Sequence, residues 1–326
     1  MDRYLVGVGA GLVSSVLILA AGSGGALSVF LLFLVSVPIA IAALGWGTKA
    51  AVAATIAGVV STALATNPLN AISFALFSLI PVAIAGYLIG LARPAGEVSA
   101  SQDMNASPDG LVWFPLSYVL AIMAALVGVS TAIIFAMIGD QLELLSEMLS
   151  TEAQRQFAEL DPTLTPEEVT ALAENIASIY LGMTPFVVGF GLTLILVFNV
   201  WLGARIVSAS GRLSRPWPDL ADIQLSTPLP QLFLIAVLAA FMSGDIGFSV
   251  RPVAGAFFAA FFLAGLAVIH MLLRGRPGRS FLLFLTYISI FLLSIPAIVI
   301  TVIGALEPFL KLRKRSISQG GQPPNS

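Results

Sequence analysis

The sequence has 326 residues, of which 58% are hydrophobic and only 10% charged, whereas an ordinary soluble domain has roughly 25% charged residues. The mean hydropathy of +0.99 is too high for a chain that must cover a water-facing surface. The absence of cysteine and the single histidine exclude disulfides, thiolate chemistry and multi-histidine metal centres. These figures predict an integral membrane protein in contact with the lipid bilayer, with no cofactor and no nucleic-acid partner.

The apolar residues form blocks of the length that a membrane helix needs, about 20 residues. Interruptions by Gly, Pro, Asn or charge leave nine such segments, approximately over 4–21, 26–44, 48–66, 69–92, 112–139, 179–207, 229–245, 252–273 and 281–306. The first is expected to be a retained helix rather than a cleaved signal, because Asp2 and Arg3 cancel in charge and another segment follows closely. Alternating ten-residue segments typical of a β-barrel are absent from the sequence. The predicted fold is an all-α, polytopic transmembrane helix bundle of eight or nine spans.

Lysine and arginine in short loops favour the cytoplasmic face of a membrane protein. A cytoplasmic N-terminus places nine of the fifteen basic residues on that face. They are Arg3, Lys49, Arg93, Arg205, Arg212, Arg215, Arg274, Arg276 and Arg279. Arg155, Arg251 and the acidic stretch from Asp140 to Glu174 fall on the opposite face. We therefore expect the N-terminus to be cytoplasmic.

The last apolar run conflicts with this orientation, because nine crossings would put the basic residues after Leu310 outside. Pro296 divides residues 281–310 into halves that are each short for a span. A broken or re-entrant pair that returns to the cytoplasm would resolve the conflict. A single kinked helix with an external basic tail is the alternative.

The chain is predicted to divide at a polar linker over residues 94–111, which is rich in Gly, Pro and Ser. Residues 1–93 then form an N-terminal half of four spans, and residues 112–310 form a C-terminal transmembrane half. Residues 311–326 are predicted to be a disordered basic and polar tail.

An external acidic hairpin is predicted over residues 140–178. Leucines recur at helical spacing from Leu142 until Asp161 and Pro162 stop the pattern. Thr165 then has the position of an N-cap, followed by Pro166 and two glutamates at the positive end of the next helix. We expect two amphipathic helices here, the second of which continues into the sixth span.

Small residues at four-residue spacing are typical of helix contacts within a bilayer. The first span carries Gly7, Gly11 and Ser15, and the third span carries Ala50, Ala54 and Gly58. Such faces either pack within the chain or serve as a helix-docking interface for a partner membrane protein. The sequence leaves both interpretations open.

Polar residues within and between the spans are the candidates for binding a small hydrophilic solute, since burying them in hydrocarbon is costly. The candidates are Asn67, Asn70, Asp140, Tyr180, Asn199 and Asp245. Asn199 is also a candidate for an interhelical hydrogen bond. His270 is expected to be an interfacial or packed imidazole, and Glu307 and Arg313 can form an ion pair at the end of the last run.

No enzymatic machinery is predicted. The glycine-rich runs from Gly7 to Gly11 and from Gly45 to Lys49 lack the context and spacing of a phosphate-binding loop, so the chain contains no ATPase. The apolar segments contain no paired carboxylates. This absence argues against an ion-coupled pump and against an intramembrane enzyme. We expect no catalytic residues.

Two sets of residues resemble known families. Pro38, followed by Gly45, Gly47 and the small-residue third span, is similar to the membrane S components of energy-coupling-factor vitamin transporters. The run from Gly265 to His270, with Gly304, Glu307 and Arg313 near the end, resembles the YybS-like bacterial membrane proteins, a domain-of-unknown-function family. The resemblance implies an S-component-like fold in the bacterial inner membrane.

Two functions follow. The first is a substrate-binding transporter subunit, in which the external hairpin covers a pocket and a small-residue face docks a transmembrane energy-coupling subunit. The second is a non-transporting scaffold or regulator of envelope assembly that binds a partner through the acidic hairpin. A bound solute distinguishes the first from the second.

Overall fold

The computed structural model describes residues 2–22, 24–97, 110–218, 223 and 225–310. The N-terminal helices are α1 (Arg3–Ala21), α2 (Ala26–Leu32), α3 (Val37–Trp46), α4 (Thr48–Ala65), α5 (Pro68–Phe74) and, after a π-helical turn (Ala75–Leu79), α6 (Ile80–Ile89). Two short strands follow, β1 (Ala92–Pro94) and β2 (Leu111–Trp113), with a 3₁₀ turn (Ala95–Glu97) after the first. The remaining helices are α7 (Leu116–Met137), α8 (Gly139–Leu160), α9 (Pro166–Ala209), α10 (Pro228–Ala240), α11 (Gly244–Leu272), α12 (Arg279–Leu292) and α13 (Ile295–Leu310).

The all-α, polytopic fold class is confirmed, with seven or eight candidate spans where the sequence predicts eight or nine. Within the described residues, 7 helical stretches are long and apolar enough to cross a membrane, or up to 8 if the bent pair α12 and α13 counts as one span. The predicted segment 229–245 forms only the 13-residue α10. Prolines at 228 and 230 begin this helix, and it ends at Ala240, four residues before the positive-φ Gly244.

The small-residue faces of the first and third spans pack against each other within the chain. A Cβ on Gly7 would lie 2.4 Å from the Ala50 carbonyl oxygen, and one on Gly11 would lie 2.2 Å from that of Ala54. Ser15 and Thr62 share a buried hydrogen bond of 3.0 Å. This register makes α1 and α4 parallel. The interpretation of these residues as a docking face for another protein is therefore wrong for this structure, because the two backbones already occupy the face.

The N-terminal and C-terminal halves share one hydrophobic core. Gly203 on α9 lies against Ala40 on α3, where a Cβ would be only 2.6 Å from the Ala40 side chain. Gly86 on α6 approaches Ala43 on α3 in a similar way. The core cluster accordingly combines Ile39 from the first half with Phe261 from the second.

Helix α11 is the centre of the C-terminal half and meets its neighbours at glycines. The backbone of Gly128 on α7 approaches Val253, and Gly189 on α9 approaches Pro252. Phenylalanines support the α9 contact, since the Phe186 and Phe190 rings both lie 5.6 Å from that of Phe258. Close approach at glycine lets these helices pack with few large side chains between them.

The two helices predicted over residues 140–178 are present as α8 and the first part of α9, and they pack against each other. Thr165 caps α9, with its hydroxyl oxygen accepting from the Glu168 backbone N–H and the Glu168 carboxylate accepting from the Thr165 backbone N–H. Helix α8 ends at Leu160, where the sequence predicts a stop. Helix α9 then runs unbroken for 44 residues, about 66 Å, whereas the hydrocarbon core is roughly 30 Å thick. Its first part, paired with α8, therefore extends beyond the membrane.

The last apolar run is divided as expected, but at Leu293 and Ser294 rather than at Pro296. The chain bends by 118° between the two helices. A Cβ on Gly265 would touch the Ile300 carbonyl oxygen, and one on Gly304 would touch that of Phe261. These contacts make α13 antiparallel to α11, so α13 does not return to the end of the bundle where α12 begins. This differs from the re-entrant arrangement that the sequence predicts.

The predicted linker 94–111 has ordered ends. Strands β1 and β2 pair antiparallel, with Arg93 opposite Val112. Residues 98–109 lie outside the described residues, as does the predicted tail 311–326 with Arg313.

Candidate functional site

Basic residues gather at the end of the bundle where α1 and α4 begin and where α3, α6, α9 and α11 end. We call this the basic end, and the end with the α8–α9 hairpin the hairpin end. Two cavities open at the basic end and share Ile89, Leu213 and Arg215 in their walls. The first, the polar cavity, has a volume of about 540 Å³. Its polar lining includes Arg3, Trp46, Thr48, Tyr87, Arg212, Ser214 and Arg215.

The second, the apolar cavity, has a volume of about 580 Å³ and lies between α7, α9 and α11. Its walls include Leu120, Met123, Leu194, Val197, Leu263 and Leu266. Leu194 lies about 15 residues before Ala209, the last residue of α9. It is therefore about 22 Å along that helix from the basic end. The cavity thus extends from the membrane surface deep into the bundle.

Apart from the indole of Trp201, the polar side chains that line the apolar cavity lie at its mouth. They are Arg215, Trp217, His270, Arg274, Arg279 and Tyr287, which we call the rim. Among the described residues that line this cavity, none is acidic. The site is therefore amphipathic, with apolar walls and a basic and aromatic rim.

The segment after α9 builds one side of the rim. Gly211 has a φ of 69°, which a side-chain-bearing residue rarely adopts, and this turn ends α9. The guanidinium of Arg212 then stacks over the Trp46 ring at 4.6 Å, and that of Arg205 stacks over Trp217 at 4.9 Å. Such cation–π contacts hold basic side chains beside apolar surface. They fix the segment across the ends of α3 and α9.

Arg215 is the basic side chain that both cavities share. Its Nη1 donates a 2.8 Å hydrogen bond to the Phe114 carbonyl oxygen. Partial burial lowers the pKa of Arg215 from its ordinary value, but an arginine stays protonated in proteins. Because the guanidinium has five N–H donors, the bond to Phe114 leaves donors for a ligand.

His270 and Tyr287 build the other side of the rim. The His270 Nδ1 lies 2.9 Å from the Leu266 carbonyl oxygen, and its Nε2 lies 3.2 Å from the Tyr287 hydroxyl. An Nδ1–H that donates to the carbonyl leaves Nε2 to accept from Tyr287. The half-buried imidazole thus ties α12 to α11, as expected for a packed histidine.

The five predicted binding residues whose side chains the structure describes do not line either cavity. Asn67 caps α5 by accepting from the Asn70 backbone N–H at 2.9 Å. Tyr180 on α9 is 62% exposed, and Asp245 lies in the first turn of α11. Asp140 belongs to α8, and its side chain lies outside the described residues. The cavities open at the basic end, so the hairpin does not cover them as the first hypothesis supposed.

Asn199 is fully buried on α9, and within the described part of the chain neither its Oδ1 nor its Nδ2 has a hydrogen-bond partner. The contact of Gly203 with Ala40 puts Asn199 one turn away, at the level of Ser36, the N-cap residue of α3. Ser36 instead shares a hydrogen bond with Ser78. The expectation of an interhelical hydrogen bond for Asn199 is therefore wrong.

Sequence reasoning named most of the rim residues, Arg251 and Glu307, but it did not predict that the rim residues meet at one cavity or where the other two side chains lie. Arg251 joins three helices, since its Nε donates to the Ala240 carbonyl and its Nη1 to that of Gly182. Glu307 lies inside α13 and is 2% exposed, so it is buried rather than at the end of the run. Two arginines and a tryptophan within residues 212–217 were the available signal for the rim. In the residues that the structure describes, no group of three or more His, Asp or Glu could hold a metal ion.

The fold and its apolar surface define a multi-pass α-helical membrane protein. A family model described as "Predicted membrane protein (DUF2232)" matches residues 12–306. The chain belongs to this family. No curated protein and no solved structure matches the chain.

Proposed function

We propose that the protein is a ligand-binding membrane subunit and that its ligand binds at the basic end. The apolar cavity of about 580 Å³ carries this proposal, because ligand pockets commonly have volumes of about 300–1,000 Å³ with apolar walls and a few polar groups. Here the polar groups converge on the rim. The cavity lies between helices of a bundle, which is a frequent place for such sites.

The transporter form of this proposal rests on the resemblance to the YybS-like proteins and to S components. It assigns the chain to the bacterial inner membrane, with a cytoplasmic N-terminus and a separate energy-coupling subunit. The close packing of Gly7 and Gly11 on α4 means that such a subunit would contact another face. The polar cavity of about 540 Å³ is the place that suits a small hydrophilic solute. We propose no catalytic activity for the chain.

The test is the small-molecule content of protein extracted directly in native-lipid discs, measured by mass spectrometry. Ala204 lines the apolar cavity, so Ala204→Phe places a ring in the space that the ligand would fill. Ile206→Phe is the matched control, since Ile206 is 44% exposed on the same helix. We expect one enriched molecule with wild type and with Ile206→Phe, and its loss with Ala204→Phe. Equal content in all three would refute a ligand in this cavity.

The hairpin favours a second candidate, a scaffold that binds a partner outside the membrane. Leu144, Met148 and Leu160 on α8 are 59%, 63% and 79% exposed, on a hairpin that is also strongly acidic. An extended apolar and acidic surface beyond the bilayer is typical of a protein-binding element. Reversing the charge of Glu143, Glu147 and Glu152 to Lys should then abolish a partner contact and leave the ligand content unchanged. Retention of the contact would remove this candidate.

A further inference from the structure

We infer that the apolar cavity binds an anionic amphiphile, with its hydrocarbon chain between α7, α9 and α11 and its phosphate or carboxylate head at Arg215. This inference rests on the proposed function and names the chemical class of its ligand.

The shape and lining of the cavity indicate that one part of the ligand is a hydrocarbon chain. The wall residues from Leu116 to Met123 and from Leu194 to Ala204 are apolar throughout the described lining, apart from the indole of Trp201. A hydroxyl or amide placed beside them would lose its hydrogen bonds to water without replacement, which costs a few kcal/mol for each group. A hydrocarbon chain incurs no such cost. The cavity also runs along the helices from the rim inward, as a chain anchored at the membrane surface does.

The rim indicates the charge of the head. Arg215, Arg274 and Arg279 line it, and the described lining holds no acid. An arginine fork matches two oxygens of a phosphate or carboxylate, and basic pockets between membrane helices on the cytoplasmic side are known to bind anionic headgroups. A cationic amphiphile would instead meet three arginines at the mouth.

Arg215 is the most specific contact for the head. Arg215 lines both the apolar cavity and the polar cavity. It therefore lies where a hydrocarbon chain in the apolar cavity would join a head group in the polar cavity. Arg212 and Ser214 line the polar cavity beside it and offer further donors. The ligand therefore bridges the two cavities at Arg215.

Tryptophan fluorescence can test this, because Trp201 and Trp217 line the apolar cavity. Of the 4 tryptophans in the chain, Trp46 and Trp113 are replaced by Phe. The protein is placed in phosphatidylcholine nanodiscs that contain a small fraction of brominated lipid, which quenches indole at short range. The two probes are brominated phosphatidylglycerol, which is anionic, and brominated phosphatidylcholine with the same chains.

We expect severalfold stronger quenching by the anionic lipid than by the neutral one, and loss of most of that preference in Arg215→Gln and in Arg279→Gln. Arg279 is exposed, so its variant tests the charge even where Arg215→Gln disturbs folding. Arg276→Gln is the control, because Arg276 is exposed near the same end and does not line the cavity. Its preference should equal that of wild type.

A second arm distinguishes a bilayer lipid from an amphiphile that arrives from solution. Dodecyl phosphate is added to nanodiscs of brominated phosphatidylcholine alone, with dodecyl maltoside as the neutral comparison. Relief of quenching by dodecyl phosphate only, without preference for phosphatidylglycerol, supports a mobile anionic amphiphile. Preference for phosphatidylglycerol supports a bilayer lipid. If neither phosphatidylglycerol is preferred nor quenching relieved selectively by dodecyl phosphate, the inference of an anionic ligand is overturned. The ligand content of Ala204→Phe tests the proposed function separately.

Discussion

The substitution Gly11→Ala tests the packing of α1 on α4. An added Cβ would lie 2.2 Å from the Ala54 carbonyl oxygen and 2.8 Å from the Gly58 nitrogen. Both are backbone atoms, so no side chain can turn away to make room. The two helices must separate by about 1 Å to restore ordinary contact, and overpacking of this kind costs about 1–3 kcal/mol.

Gly9→Ala is the matched control, because a Cβ at Gly9 on the same helix has nothing within 4 Å. Alanine is favoured over glycine within a helix by up to about 1 kcal/mol, so this variant should be as stable as wild type or slightly more stable. Thermal unfolding in detergent, followed by fluorescence, should show Gly11→Ala lower by several degrees, since 1 kcal/mol corresponds to about 2–4 °C in proteins of some 200 residues. Equal stability of the two variants would refute the register. It would also restore the interpretation of this face as a surface for a partner protein.

Four further predictions concern other parts of the fold. Asn199→Leu removes a buried amide without partners among the described residues and should raise stability by about 1 kcal/mol. Thr193→Val removes the hydrogen bond from the Thr193 hydroxyl to the Gly189 carbonyl oxygen and should lower the stability in the same unfolding assay. Hydrogen bonds from the backbone and then the hydroxyl of Thr165 lower the pKa of Glu168 below its ordinary 4.5. The stability of the first turn of α9 should therefore be fully present above pH 4.5 and lost as the pH falls below it. Hydrogen exchange at that turn, corrected for intrinsic rates, should show this step in wild type and not in Glu168→Gln. Finally, the chain has no cysteine, so single cysteines at 295 and 310 report on α13. A membrane-impermeant thiol reagent applied to the face with Lys49 should label Ile295→Cys and not Leu310→Cys, and the reverse pattern would contradict the antiparallel packing of α13 on α11.

Local signals in the sequence predict the hairpin well. The cap at Thr165, the stop at Asp161 and the acids of the first turn act within a few residues of one another, so their outcome depends little on the rest of the chain. The position of Pro296, in contrast, did not predict where the last apolar run is broken. Proline is tolerated in the first turn of a helix, so α13 begins just before it and the break falls at Leu293 and Ser294.

The site depends on contacts between distant segments, which the sequence pattern does not contain. The rim joins Arg215 from the segment after α9 with His270 on α11 and Tyr287 on α12. Each of these looks like an ordinary interfacial residue by itself. Asn67 similarly has the sequence context of a binding residue, but it caps a helix. The ladder of Gly7 and Gly11 was recognisable as an interface, whereas its partner helix α4 became evident only from the packing.

The proposed ligand is an amphiphile in the cavity between α7, α9 and α11, with its anionic head at Arg215. Cryo-electron microscopy of the protein in native-lipid nanodiscs tests this most directly. We predict elongated density along Leu194 and Leu263 that ends within hydrogen-bond distance of the Arg215 guanidinium. A well-resolved map in which this cavity is closed, or in which ligand density lies instead at the hairpin end beside Asn67 and Tyr180, would contradict the claim.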